Sequence, residues 1–154
     1  MEKKENYIVF NVRPMPLYPS YRPMYKVSLI LLILSINGYA GKSSLLKLHL
    51  FSWALKSHKN LDALKEFVVS NYKNDLKFFG IELTLNRALN LAIAEKLISF
   101  IDDKYTLLEK GVEFSNYLIK SKDLFIYEKQ VLKLVGKSIT DEKMNELLKH
   151  WKNA

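Results

Sequence analysis

Residues 97–118, LISFIDDKYTLLEKGVEFSNYL, contain two short apolar runs separated by a small polar stretch. Leu97–Ile101 and Tyr105–Leu108 are predicted as strands, because both runs are rich in β-branched and aromatic residues and are bounded by turn residues. Asp102–Lys104 then form the turn of a hairpin, and a helix is predicted from about Lys110. The order helix, hairpin, helix is typical of the closing half of a winged helix-turn-helix domain.

Four helices are predicted before this hairpin, because apolar residues recur at helical spacing and capping residues stand near the helix starts. Their approximate extents are residues 24–36, 43–56, 60–72 and 84–96. The predicted N-terminal caps of the last three are Ser43 or Ser44, Asn60 and Thr84, respectively. Asn37-Gly38 is predicted to end the first helix with a left-handed cap.

The two ends of the chain differ from this core. All four prolines (Pro14, Pro16, Pro19 and Pro23) fall within ten residues, which excludes helix and central strand there, and the preceding run YIVFNV is predicted as a strand. Two further helices are predicted at the other end, over Asp123–Val135 and after Thr140. The second has Met144, Leu147, Leu148 and Trp151 on one face.

The predicted fold is therefore mainly α, of the α+β class, with a winged helix-turn-helix core, an extended N-terminal arm and two extra C-terminal helices. The expected divisions are an arm with a short strand over residues 1–24, a winged-helix domain over 25–121 and a helical appendage over 122–154. The apolar run Val27–Ile36 has ten residues, whereas a membrane-spanning helix needs about 20. We therefore interpret this run as a core element and expect a cytoplasmic protein.

The charge of the chain is unevenly distributed. The net charge is +8, and residues 6–61 contain seven basic residues and no Asp or Glu. A long stretch of one sign indicates an electropositive face with an anionic partner, either DNA or an acidic protein surface. The residues predicted to form this basic face are Arg13, Arg22, Lys26, Lys42, Lys47, Lys56 and Lys59.

The stretch NGYAGKSSLL, residues 37–46, ends like a phosphate-binding loop, with Gly41-Lys42-Ser43. The loop requires a first glycine at position 36, which is isoleucine, and Gly38 comes two residues too late for the backbone to surround a phosphate. We therefore expect no nucleotide at this loop. The stretch is predicted to be a tight connection between two helices, with Lys42 on the surface at a helix start.

The remaining residues also favour a protein without catalytic activity. The chain has no cysteine, and its three histidines lack metal-ligand spacing. His49 lies in a strongly apolar helix, where a core or interface histidine is commoner than a catalytic one. Asp102 and Asp103 are adjacent on a turn and are predicted to be a solvated tip. The sequence thus predicts no catalytic residue, no cofactor and no metal.

Two kinds of binding function remain. A DNA-reading winged helix needs basic or amide side chains on the helix before the hairpin and a basic hairpin tip. The helix offers Asn86, Arg87 and Asn90, but the tip carries two carboxylates. We therefore favour a protein-docking adaptor whose DNA contact, where present, comes from the basic first half. The alternative is a winged-helix transcriptional regulator that binds DNA through these three residues.

Residues 22–57, RPMYKVSLILLILSINGYAGKSSLLKLHLFSWALKS, resemble the start of the small middle components of bacterial three-component ABC-ATPase defence systems, the broad group that includes Lamassu. The shared features are Arg22-Pro23 and Tyr25-Lys26, an apolar helix, a Gly/Lys/Ser turn, and then Leu48, His49 and Trp53. The later YTLLEKG resembles the wing of that family, so the likeness covers roughly residues 22–120.

This resemblance implies a non-enzymatic accessory subunit in immunity against phage or plasmids. Such a subunit bridges an SMC-like ABC ATPase and an effector, often a nuclease. The basic first half would face DNA held by the ATPase or an acidic partner surface, and the arm and C-terminal helices would dock the other subunits.

Overall fold

The protein is described by a computed structural model over residues 23–71, 73, 76 and 82–152. These residues form seven helices and three strands: α1 (Pro23–Asn37), β1 (Lys42–Ser43), α2 (Leu45–Ala54), α3 (His58–Val69), α4 (Leu83–Ala94), β2 (Ile98–Ile101), β3 (Lys104–Leu107), α5 (Glu109–Lys120), α6 (Ile126–Val135) and α7 (Asp141–Lys152). The prediction of a mainly helical α+β fold is confirmed. Residues 1–22 of the predicted arm, with its strand, Arg13 and Arg22, lie outside the described residues. Pro23 and Met24, which were also predicted to belong to the arm, are the first residues of α1. The exclusion of helix was therefore wrong at Pro23, because proline is tolerated in the first turn of a helix.

The predicted hairpin is present. Strands β2 and β3 pair antiparallel, with Ile98 opposite Leu107 and Ile101 opposite Lys104. Asp102 and Asp103 join them with φ angles of 54° and 62°, the left-handed pair that a type I′ turn requires. The sequence did not predict β1, which pairs antiparallel with β3 and makes the sheet order β1-β3-β2.

Helix α1 is the centre of the core. Its residues from Val27 to Leu34 are buried all round, and the helix packs against α2, α4, α5, α6 and the sheet. A helix surrounded on all sides has no solvent face, so its sequence is continuously apolar where surface helices alternate. This explains the run that resembles a short membrane segment. Among the described residues, no helix is long and apolar enough to cross a bilayer.

The two C-terminal helices share this core. Helix α6 packs on α1 and α3, and α7 packs on α2. The buried apolar residues that they and their connection contribute are Val131, Leu132, Val135, Ile139, Met144 and Leu147. Leu148 is half-buried on the predicted face of α7, and the side chain of Trp151 lies outside the described part of the chain. The C-terminal helices thus pack on the central helix through α6 and on α2 through α7.

The connection between α1 and α2 differs from the prediction. Gly38 has no left-handed backbone; instead, a Cβ there would lie 2.6 Å from the backbone oxygens of Leu34 and Lys42, so glycine is needed for a close approach. The left-handed residues are Ala40 (φ 55°) and Gly41 (φ 73°), which form a tight turn closed by Lys42 N donating to Tyr39 O at 3.1 Å. Lys42 is exposed in β1, not at a helix start.

Two predicted helix starts are corrected as well. Helix α3 is capped by Ser57, whose hydroxyl accepts a hydrogen bond from the backbone N–H of Asn60. Asn60, the predicted cap, therefore lies inside the helix and donates the capping hydrogen bond. Helix α4 begins after Glu82, not at Thr84. The prediction of Ser44 as the cap of α2 is confirmed, because its side chain accepts from Lys47 N.

Candidate functional site

The hairpin carries apolar side chains into solvent. Phe100 is 49% exposed and Ile101 is 60% exposed, although both lie in β2. Phe100 is supported from the opposite strand by Tyr105, with ring centroids 4.6 Å apart. Asp102 and Asp103 are exposed at the tip directly beyond them. The surface of the hairpin is thus apolar with two carboxylates at its end, as the prediction of a solvated acidic tip requires.

Helix α4 precedes the hairpin and presents the predicted trio of polar residues. Its buried face consists of Leu85, Ala88, Leu89 and Ala92, which pack toward α1. Arg87 and Asn90 are exposed and Asn86 is half-buried. Positions three apart lie on one helix face, so Arg87 and Asn90 share a solvent-facing side of α4.

A partly buried ionic cluster joins α1, the end of α2 and the start of α4. Lys26 Nζ lies 3.1 Å from Ser52 Oγ and 3.4 Å from Glu82 Oε1, and Ser52 Oγ donates to that same carboxylate oxygen at 2.5 Å. Lys56 Nζ pairs with the other oxygen, Oε2, at 2.6 Å. We call Lys26, Ser52, Lys56 and Glu82 the Glu82 cluster.

The Glu82 cluster is electrostatically coupled. Burial lowers the pKa of Lys26, whereas the carboxylate of Glu82 works in the opposite direction. Burial alone would raise the pKa of Glu82, but hydrogen bonds from Lys56 and Ser52 and the charge of Lys26 together lower it. The carboxylate is therefore the group that holds both lysines in place.

His49 lies beside this cluster in α2 and is 3% exposed. Its Nδ1 accepts a long hydrogen bond, 3.4 Å, from the backbone N–H of Glu82. Nε2 is buried and has no hydrogen-bond partner among the described residues. Burial lowers the pKa of His49 more than the nearby Glu82 carboxylate raises it, so the neutral ring is favoured. His49 is a core histidine, as its apolar surroundings in the sequence predict.

A pocket of about 400 Å³ lies where the α1–β1 connection, the first turn of α2, the start of β3 and the α6–α7 connection meet. We call it the lysine pocket, because four of its lining residues are lysines. The lining residues are Asn37, Tyr39, Lys42, Ser43, Lys47, Lys104, Lys137, Thr140 and Asp141. Lys104 and Asp141 form an ion pair across it.

The structure distributes the predicted basic residues over different surroundings. Lys42 and Lys47 line the lysine pocket. Lys26 and Lys56 both pair with Glu82, and Lys26 is only 3% exposed. Lys59 is exposed near the start of α3. The five described lysines of the predicted basic face therefore lie in three different surroundings: two line the lysine pocket, two pair with Glu82, and one is exposed on α3.

Several residues at these sites were not identified from the sequence. Glu82 lies outside the acid-free stretch whose lysines it binds, and Lys104, Lys137 and Asp141 come from segments far along the chain from Lys42. No spacing pattern links them, because each reaches its site through the packing of a different element. Among the residues that the structure describes, no group of three or more His, Asp or Glu side chains is arranged to hold a metal ion.

No protein-family model matches the chain. The comparisons with curated proteins and with solved structures also return no match. What the protein does is therefore inferred from its own residues and their geometry.

Proposed function

We propose that this chain is a non-catalytic winged-helix adaptor subunit that works by binding other macromolecules. Support for the winged-helix assignment comes from the order of elements from α1 to α5 and from the sheet order β1-β3-β2, in which a two-residue turn joins the last two strands. Support for a binding function comes from the apolar side chains exposed on the hairpin and the polar side chains exposed on α4.

The single observation that carries the proposal is the hairpin surface. Phosphate is repelled by carboxylates and gains nothing from aromatic and aliphatic side chains at a wing, whereas protein interfaces favour a dry apolar centre with polar residues around it. Phe100 and Ile101 supply that centre, and Asp102 and Asp103 lie at its edge. The partner that fits is a protein surface with an apolar depression bordered by lysine or arginine.

The buried side chains support the non-catalytic part of the proposal. Lys26 and Ser52 are hydrogen-bonded at 3.1 Å, an arrangement that some hydrolases use for a nucleophile and its base. Here Lys26 is 3% exposed and Ser52 is 2% exposed, so a substrate has no access to either. Their hydrogen bonds to Glu82 instead tie three elements of the fold together.

The resemblance of residues 22–57 to middle components of three-component defence systems supports a more specific assignment. In that assignment the adaptor is cytoplasmic and bridges an SMC-like ABC ATPase and an effector nuclease in antiviral or anti-plasmid defence. The hairpin docks one of these subunits, and DNA contact falls to exposed members of the basic face such as Lys42 and Lys59.

The test is co-purification of the tagged chain with an ABC ATPase and a nuclease encoded beside it. We expect wild type to retain both subunits and the double variant Phe100→Ser, Ile101→Ser to lose the subunit that the hairpin docks. Leu134→Ser is the matched control, since Leu134 is 50% exposed on α6, away from the hairpin. Retention of both subunits by the hairpin variant, or equal loss in the control, would contradict the proposed docking surface.

The alternative is a DNA-binding transcriptional regulator, and one observation favours it. Arg87 and Asn90 are exposed on α4, and neither side chain has a hydrogen bond or ion pair within the described part of the chain. A base-reading arginine is worth about 1–3 kcal/mol of discrimination between sequences. If the isolated protein shifts its own promoter DNA and Arg87→Ala abolishes that shift, the regulator is correct and the adaptor is not.

A further inference from the structure

We propose that the lysine pocket binds a small phosphomonoester, with Lys47 as the central phosphate ligand. The site lies between the core and the α6–α7 connection, and its lining includes Lys104 of β3 but not the hairpin residues Phe100 and Ile101. It does not rest on the adaptor function, because the pocket and the hairpin surface are formed by different side chains.

Lys47 is the strongest indication of a ligand. It is 6% exposed, yet its ammonium has no hydrogen bond or ion pair among the residues that the structure describes. Most of the side chain is enclosed, while the ammonium is not fully buried and Lys47 lines the pocket. Partial removal of a charge from water without an ion pair is costly, so enclosed lysines are normally paired. A bound anion would supply the missing partner.

The charged neighbours of Lys47 indicate on which side of the residue its ammonium lies. Burial lowers its pKa most, the carboxylate of Asp141 raises it, and the ammonium of Lys104 lowers it further. Both of these neighbours line the pocket, so the Lys47 ammonium faces the pocket and not the α1 core. It lies in the first turn of α2, where the helix dipole also favours an anion.

The remaining charges of the pocket favour a multiply charged anion. Lys42 and Lys137 are exposed, and neither has an ion pair within the described ranges. Lys104 is neutralised by Asp141. Three lysines are thus left to share one ligand, and a phosphate dianion accepts hydrogen bonds from several donors at once.

Asn37 indicates that the ligand also carries a hydrogen-bond donor. It is 1% exposed, and its Nδ2 donates to Leu132 O at 2.9 Å and to Gly136 O at 2.7 Å, which fixes the orientation of the amide. Its Oδ1 is buried without a hydrogen-bond partner among the described residues. Asn37 lines the pocket, and a hydroxyl or amino group of a ligand that reached this oxygen would satisfy it, so the candidate ligands include a sugar phosphate and a nucleotide.

This site differs from a phosphate-binding loop, although it uses the same Lys42. The residues 39–42 form a tight turn with Ala40 and Gly41 in left-handed conformations, which leaves no extended loop of N–H groups to surround a phosphate. In the proposed site, lysine side chains from β1, α2 and the α6–α7 connection contact the phosphate instead.

The test is calorimetric titration of the full chain, in phosphate-free buffer at low salt, with AMP, ribose 5-phosphate, inorganic phosphate and adenosine. We expect the phosphomonoesters to bind and adenosine to fail, with AMP tightest if the 79% exposed ring of Tyr39 stacks on the base. Lys47→Met keeps most of the buried stem and removes the charge, so it should weaken phosphomonoester binding by about tenfold or more.

Lys65→Met is the matched control, because it removes one exposed charge on α3 outside the pocket and should change affinity less than about twofold, as expected of a screened surface charge. Equal weakening by both variants would mean that net charge alone attracts the anion, and would overturn the site. Failure of AMP, ribose 5-phosphate and phosphate to bind wild type would overturn it as well.

Thermal unfolding gives a second readout that is independent of affinity. Without ligand, Lys47→Met should be as stable as wild type or more so, because a partly desolvated charge without an ion pair is removed. AMP should raise the midpoint of wild type and leave that of the variant unchanged. A variant that unfolds well below wild type in the absence of ligand would show that Lys47 has a structural partner, and the proposal would be wrong.

Discussion

The ammonium of Lys26 lies 3.4 Å from Oε1 of Glu82, which joins two residues 56 positions apart in the chain. Lys26 belongs to a stretch without any acidic residue, and its counter-charge comes from outside that stretch. Lys56 is held by the other oxygen of the same carboxylate. A run of basic residues in the sequence is therefore not the same as a basic surface, because two of its members are neutralised by one distant glutamate.

Replacing Glu82 with glutamine should destabilise the protein. The change leaves the 3% exposed ammonium of Lys26 without a carboxylate, and breaking a buried pair on one side costs about 3 kcal/mol. Urea denaturation of wild type and Glu82→Gln at pH 7 measures this loss in the free energy of unfolding. Glu95→Gln is the control. The ion pair of Glu95 with Lys110 is 4.0 Å long and exposed, so this substitution should lower the free energy of unfolding by about 0.5 kcal/mol or less.

The difference in the free energy of unfolding between wild type and Glu82→Gln should depend on pH. The folded protein holds the pKa of Glu82 below its ordinary value of 4.5, so the carboxylate contributes stability that is fully present above that value. This contribution is lost as the pH falls through the folded pKa. Urea denaturation at pH 7 and at several pH values below 4.5 should show the difference shrinking, and a constant difference would contradict the role given to the carboxylate.

Replacing Asn37 with alanine should also destabilise the fold. Its amide donates to two carbonyls at the end of α6, those of Leu132 and Gly136, and thereby joins α1 to α6. Buried carbonyls that lose their donors should cost about 2 kcal/mol in the free energy of unfolding. Asn116 is exposed on α5, so Asn116→Ala serves as the control and should be nearly neutral. Similar effects from both substitutions would argue against the cross-link.

The two glycines of the α1–β1 connection should respond differently to alanine. In Gly38→Ala the new Cβ would meet two backbone oxygens at 2.6 Å, and the strain should cost about 3 kcal/mol. In Gly41→Ala the nearest atoms lie at 3.6 Å, and only the φ of +73° is unfavourable, at about 1 kcal/mol. Thermal unfolding of both variants should rank them in that order. The reverse order would show that the backbone angle, not the close approach, limits this connection.

Much of the fold could be predicted because its signals are local. The alternation of β-branched and aromatic residues around Asp102-Asp103 predicts the hairpin, and the continuous apolar run predicts a fully buried α1. Strand β1 could not be predicted, because two residues carry no periodicity and pair only once β3 is beside them. The cap of α3 was missed because Ser57 and Asn60 are both good caps, and the tertiary position of the helix start selects one of them.

The sequence by itself determined where helices, hairpin and buried helix lie, since hydrophobic periodicity and turn chemistry act over a few neighbouring residues. Only the tertiary structure decided which lysines form ion pairs with carboxylates. Glu82 pairs with Lys26 and Lys56, while Lys47 lies in the lysine pocket with Lys42 and Lys137 and forms no ion pair with a described residue. Electrostatic partners are set by distance in space, and the packing of α4, α6 and α7 on the core fixes those distances.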